Sequence, residues 1–181
     1  MPILGIIASS LLAAAGDYES IATVTVGSGG SSSIDFTSIP GTYKHLQLRY
    51  IARNATAAYF VRLQYNSNTT ASNYSYHIIN GTGAAVTVGA GASEGYNYAP
   101  RQSTATSTFG VGVVDILDYT DTNKNTTIRG LGGYDNNGSG DIDFLSGAFY
   151  QTAAITSIQI SVAGGSYQQY SHFALYGIKG A

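Results

Sequence analysis

Apolar and polar residues alternate with a period of two along most of this chain. Between Tyr43 and Arg53, Leu46, Leu48, Tyr50 and Ala52 fall on one side, and His45, Gln47, Arg49 and Arg53 on the other. Tyr59, Val61 and Leu63 oppose Phe60, Arg62 and Gln64 in the next segment. Ala22, Val24 and Val26 alternate with Thr23 and Thr25, and Ile158, Ile160 and Val162 with Ser157, Gln159 and Ser161. Successive side chains of a pleated strand point to opposite faces, so each run reads as a strand with one face buried. Ile34 to Ile39, Tyr76 to Ile79, Ala84 to Val88, Thr126 to Tyr134, Ile142 to Tyr150 and Tyr170 to Ile178 add shorter or looser strands. Phe109 to Tyr119 differs from these. Val111, Val113 and Leu117 are apolar on one face and Val114 and Ile116 on the other, which predicts a central strand covered on both sides.

Turn chemistry separates these runs. GSGGSSS at 27–33, Pro40-Gly41, RNATAA at 53–58 and Gly164-Gly165-Ser166 interrupt the alternation. Residues 66–106 form a looser, Asn-, Gly- and Tyr-rich middle that reads largely as loop, the usual place for partner contacts. No stretch sustains a helical period. About ten strands at this spacing predict an all-β, two-sheet antiparallel β-sandwich, with the jelly roll as the economical topology. The domain spans residues 17–181, and residues 1–16 are set apart as an apolar arm.

That arm contains the most apolar run, Ile3 to Ala15. It has no Lys or Arg before it, unlike a secretory signal, and is too short to span a bilayer. Exposed, it would be an aggregation site, so Ile3, Leu4, Ile6, Ile7, Leu11 and Leu12 are expected to be buried. Burial in a neighbouring subunit makes them an assembly anchor; burial in the chain's own core makes them a first strand or short helix.

Composition narrows the partners. At 181 residues the chain suits one domain with a self-sufficient core, and with no Cys it has no disulfides. Only 10% of residues are charged, and the eight Lys and Arg are scattered, which argues against a nucleic-acid partner. The fifteen Tyr suit strands, interfaces or sugar rings. Asn-x-Ser/Thr triplets at Asn54, Asn68, Asn73, Asn80, Asn125 and Asn137 are the chance product of an Asn-, Ser- and Thr-rich chain.

Candidate chemistry is sparse. GASEG at 91–95 matches G-x-S-x-G, with Ser93 as nucleophile and Asp115 or Asp118 and then His172 as partners, but no helix follows to complete the elbow. DNNGSGDIDFLS at 135–146 has calcium-loop spacing at Asp135, Asn137, Ser139 and Asp141. Its twelfth position is Ser146 instead of Glu, so a tight turn is the better reading. His45, His77 and His172 lie in separate strands, and there are only two Glu, leaving no metal or paired-carboxylate site. No enzyme activity and no cofactor are expected. Tyr74, Tyr76, His77, Tyr96 and Tyr98 could contact sugar rings, although packing at a subunit interface explains them as well.

The opening MPILGIIASS, DYESIATVTVGSGG, SIPGTYKHLQLRYIAR, NYSYH, FGVGVVDILDYTDTNKNTTIRGLGGYDNNGSG and the closing AITSIQISVAGG with YSHFALYGIKG together resemble a family of virion structural proteins of tailed bacteriophages. The resemblance covers nearly the whole chain and includes one departure, Tyr76 where the pattern would carry Trp. It implies a β-sandwich acting as a homo-oligomer, a trimer, on the outer surface of the particle, without a catalytic motif; the scattered charges and the short apolar run already argue against nucleic-acid and membrane partners. A capsid decoration protein contacting the major capsid protein, and a tail-fibre or receptor-binding tip recognising host glycan, are the two roles in view. The sequence shows an arm and no shaft of repeats, which places decoration first.

Overall fold

The computed structural model describes residues 17–92 and 94–180. Twelve strands follow in chain order: β1 (Tyr18–Thr25), β2 (Ser33–Phe36), β3 (His45–Ala52), β4 (Phe60–Tyr65), β5 (Tyr74–Gly81), β6 (Val86–Ala92), β7 (Asn97–Arg101), β8 (Gly110–Leu117), β9 (Thr126–Asp135), β10 (Gly140–Phe149), β11 (Ile158–Val162) and β12 (His172–Ile178). One short 3-10 turn, Ala71–Asn73, precedes β5. The strands form an eight-stranded sheet in the order β1-β12-β3-β8-β9-β10-β5-β6 and a four-stranded sheet in the order β2-β11-β4-β7. Every pairing is antiparallel. The fold is therefore the expected two-sheet sandwich, with twelve strands instead of about ten.

The core lies where the alternation put it. Leu46, Leu48 and Tyr50 of β3, Val114 and Ile116 of β8, and Phe173 and Leu175 of β12 point inward from the large sheet. Val61, Leu63 and Tyr65 of β4, Ile158 and Ile160 of β11, and Ile34 and Phe36 of β2 meet them from the small sheet. Burying each of these large side chains contributes about 1.5–3 kcal/mol before entropy is set against it.

The middle of the chain is more ordered than its composition suggests. Residues 74–101 supply three strands, β5, β6 and β7. In β7 Pro100 cannot donate to a ladder, and the strand accordingly lies at an edge of the small sheet. Glycines on the facing sheet let it approach closely. A Cβ at Gly132 would stand 2.8 Å from Pro100 Cβ; within the large sheet, one at Gly112 would overlap the ring of its cross-strand partner Tyr50. The Tyr50 hydroxyl crosses that space to donate to Pro100 O at 2.5 Å.

A second correction concerns β8. Its inner residues Val114 and Ile116 are buried, but Val111 and Val113 on the other face are exposed. The expected cover on both sides is present on only one among the described residues.

Candidate functional site

The outer face of the large sheet is built from aligned cross-strand rows. One row runs Arg49, Val113, Leu131, Phe144, Ile79 and Val88 across β3, β8, β9, β10, β5 and β6. The next runs Ile51, Val111, Gly133, Ile142, Gly81 and Val86. Val88 is 79% exposed, Val86 73%, Ile142 69% and Leu131 57%, and Phe144, Val111, Ile79, Ile51 and Val113 are exposed beside them. Direct cross-strand neighbours have Cβ atoms about 5 Å apart, so these side chains form one contiguous apolar surface.

A polar row borders it. Gln47, Asp115, Arg129, Ser146 and His77 are aligned across the same strands. Asp115 accepts from Gln47 Nε2 at 2.7 Å and from Arg129 Nε at 2.9 Å. Gln47 Oε1 accepts from Arg49 Nε at 2.7 Å and from the Tyr18 hydroxyl at 2.8 Å, and Tyr18 stacks on Tyr176 at 4.8 Å. The face is thus divided: hydrogen-bonded and aromatic toward β1, β12 and β3, apolar toward β6.

Two shallow concavities open on the apolar half. One, of about 710 Å³, is lined by Val111, Leu131, Tyr134, Ile142 and the glycines of the adjoining turns. The other, of about 460 Å³, lies among His77, Ile79, Val88, Phe144 and Ser146.

Beneath this surface the strand pattern is inverted. Asp143 and Asn80 are cross-strand partners that point inward, and both are buried. Asn80 Nδ2 donates to Asp143 Oδ1 and to Asp141 Oδ1, each at 2.9 Å. Arg101 donates its backbone N–H to Asp143 Oδ2 at 2.8 Å and its guanidinium to Asp143 and Asp141 at 3.2 and 3.1 Å. Burial pushes the Asp143 carboxyl above the usual carboxylate range, against the lowering effect of the Arg101 bonds. Burial, reinforced by Asp141, pushes the neighbouring Tyr134 hydroxyl up to about 12.

The nominated sugar-contact residues separate. Tyr74 is a core residue with no exposed surface; its hydroxyl donates to Asn68 O at 2.8 Å and its ring packs 5.0 Å from Phe149, so it is removed from the contact set. His77 points to the outer face of the large sheet. Tyr76, Tyr96 and Tyr98 do converge, on the other side of the sheet. Tyr98 meets Tyr76 edge-on at 4.7 Å and Tyr96 at 5.3 Å, and the Arg62 guanidinium lies 4.2 Å over the Tyr96 ring. Burial, then the hydrogen-bonding Tyr98 and Glu94, hold the Tyr96 hydroxyl well above its ordinary pKa. A cleft of about 260 Å³ beside Tyr76 and Tyr98 continues to Phe60, Asn80 and Arg101.

Other candidates resolve as structure. Asp135 to Gly140 closes the β9–β10 hairpin: Asp135 Oδ1 accepts from Asn137 N at 2.7 Å, and Asn136 N donates to Ser139 O at 2.7 Å. Asp141 is held by Arg101 and Asn80, so the calcium spacing reads as a turn. Strand β3 separates Asp115 on β8 from His172 on β12, and His172 Nδ1 pairs with Thr25 Oγ1 at 2.9 Å. Ser93 and the anchor residues Ile3, Leu4, Ile6, Ile7, Leu11 and Leu12 lie outside the described residues. Among the described residues no cluster of His, Asp or Glu is placed to hold a metal.

No protein-family model matches the chain, and no curated protein is significantly similar to it. Among solved structures, the Caenorhabditis elegans galectin LEC-6 aligns over 87% of this chain and 96% of its own, at 11% identity and a TM-score of 0.33.

The exposed apolar rows are not legible in the sequence, where the two apolar faces of β8 predict cover on both sides. The outward placement of Ile79, Ile142 and Phe144 depends on the inward turn of Asn80 and Asp143.

Proposed function

We propose that this chain is a non-enzymatic structural subunit of a tailed-bacteriophage particle, a homo-oligomeric capsid decoration protein on the outer surface of the virion. Its sequence resemblance to that family supports the biological setting. The observation that carries the mechanical part is the contiguous apolar surface of Val113, Leu131, Phe144, Ile79 and Val88 with its neighbouring row. A monomer that leaves so much aligned apolar side chain in water is prone to associate, and burial against a neighbouring virion protein removes that liability. The adjoining Asp115, Arg129 and Arg49 form the polar rim such an interface needs.

The test is particle incorporation. Leu131→Asp combined with Phe144→Asp is expected to leave a folded protein that no longer joins particles, and labelling of intact virions is expected to place the native chain on the head. Full occupancy by the double variant would refute the role of this face, and label confined to the tail would refute decoration.

The receptor-tip reading is favoured by one observation, the convergence of Tyr76, Tyr96 and Tyr98 with Arg62. Tyr98→Ala or Arg62→Ala is then expected to abolish binding to host-cell glycan without altering assembly.

A further inference from the structure

The edge strands of the two sheets are not alike. β1 carries a register irregularity between Ser20 and Ala22, and its Glu19 is ion-paired to Lys179 at 2.6 Å. β2 has only four residues, with Asp35 among them. β7 contains Pro100 and pairs irregularly with β4. Short length, charge, proline and bulges are the devices by which sheet edges avoid pairing with other chains. β6, Val-Thr-Val-Gly-Ala-Gly-Ala, has none of them. Its seven residues carry no charge and no proline, its pairing with β5 is regular throughout, and its outer edge pairs with no strand among the described residues.

We infer that β6 pairs edge to edge with β6 of a second copy of this chain, antiparallel about a two-fold axis perpendicular to the sheet. Three observations select that occupant. First, the free edge of a strand is complementary to itself when reversed, because its exposed N–H and C=O groups alternate. Second, a two-fold contact sets every charge near the axis against its own copy, so an uncharged edge is the kind that pairs with itself without repulsion. Third, the apolar rows run up to this edge and end on Val86 and Val88. Pairing joins two sheets of eight into one of sixteen (8 + 8) and brings the two apolar surfaces side by side on one face. About 24 Å of edge is available, which makes this a small interface and calls for measurement at high concentration.

The inference stands apart from the virion reading, since it concerns which edge joins two copies and not where they are used. Mass in solution tests it on the full chain at about 100 μM, a concentration at which a micromolar contact is occupied. The native protein is expected to show an even number of chains. Val88→Lys and Val88→Glu, each near its own copy across the axis, are each expected to halve the mass, with circular dichroism unchanged. Mixing the two variants is expected to restore it. A monomeric native protein, or a Val88→Lys variant of native mass, overturns the proposal; so does a mixture that stays dissociated. Loss of association in Ile6→Asp with Leu11→Asp, while Val88→Lys retains it, would identify the N-terminal arm as the occupant instead.

Discussion

Asn80 and Asp143 face each other across β5 and β10 and both point into the sandwich, with Nδ2 and Oδ1 2.9 Å apart. Because side chains alternate along a strand, this buried pair turns Ile79, Ile142 and Phe144 outward. A polar network inside and an apolar surface outside are two consequences of one register.

Removing Asp143 should therefore be costly. Asp143→Ala leaves the Arg101 guanidinium with Asp141 alone and takes the acceptor from the Arg101 backbone N–H. Loss of one partner from a buried ion pair destabilises by about 3 kcal/mol or more. Asp143→Asn, which keeps an acceptor of the same shape, should lose less. Urea denaturation of the two variants checks the order, and equal losses would show that the charge carries the whole effect and the acceptor retained by Asn contributes nothing.

Gly112→Ala tests the packing of the Tyr50 ring over its cross-strand partner in the large sheet. The added methyl would overlap the Tyr50 ring, and that ring is held in place by its bond to Pro100 O. Overpacking of this kind costs about 1–3 kcal/mol, or a fall in melting temperature of roughly 3–10 °C for a domain of this size. Calorimetry that found no change would mean that Tyr50 has room to move.

The exposed rows should tolerate charge in the isolated chain. Leu131→Asp and Phe144→Asp remove no core contact, so each is expected to alter unfolding free energy by only about 0.5 kcal/mol. The same changes should reduce light scattering and binding of an apolar dye, both of which report the open face. A large loss of stability would place these side chains in the monomer's own core.

Acid sensitivity should trace partly to Asp118. Hydrogen bonds from Lys124 and Lys44 hold its carboxyl at about 2, below the ordinary value of 3.8. The folded state then binds fewer protons than the unfolded one between those values. The contribution to stability is complete above the unfolded pKa and is lost as pH falls toward the folded one. Asp118→Asn should flatten the fall of melting temperature between about pH 4 and pH 2. An unchanged slope would assign the acid transition to other carboxylates.

Much of the fold was legible before any coordinates. In β3 and β11 the alternation named the inward residues correctly, because one face of each meets the core; in the β4 segment it placed Val61 and Leu63 inward but also Tyr59, which is exposed. β7 was hidden by Pro100, which marks a turn in most settings and an edge strand in this one. In the candidate sugar site, Tyr74 and Tyr76 sit two residues apart on the same strand face, yet one is core and the other lies over Gly91 at the margin of the sheet. No local signal separates them, since the extent of the opposing sheet decides which position is covered.

The two-residue period is a local property that only pleated strands satisfy, so the alternation alone called for an all-β chain. The sequence also showed β8 as apolar on both faces, which predicts cover on both sides, whereas only one side is covered among the described residues. The tertiary structure decided the rest: that Asp143 and Asn80 meet inside, that the apolar rows line up across β3 to β6, and that β6 is left as an uncharged edge. Those outcomes depend on which strands become neighbours and in what register, and pairing between segments far apart in the chain is set by the whole core and not by any stretch of it.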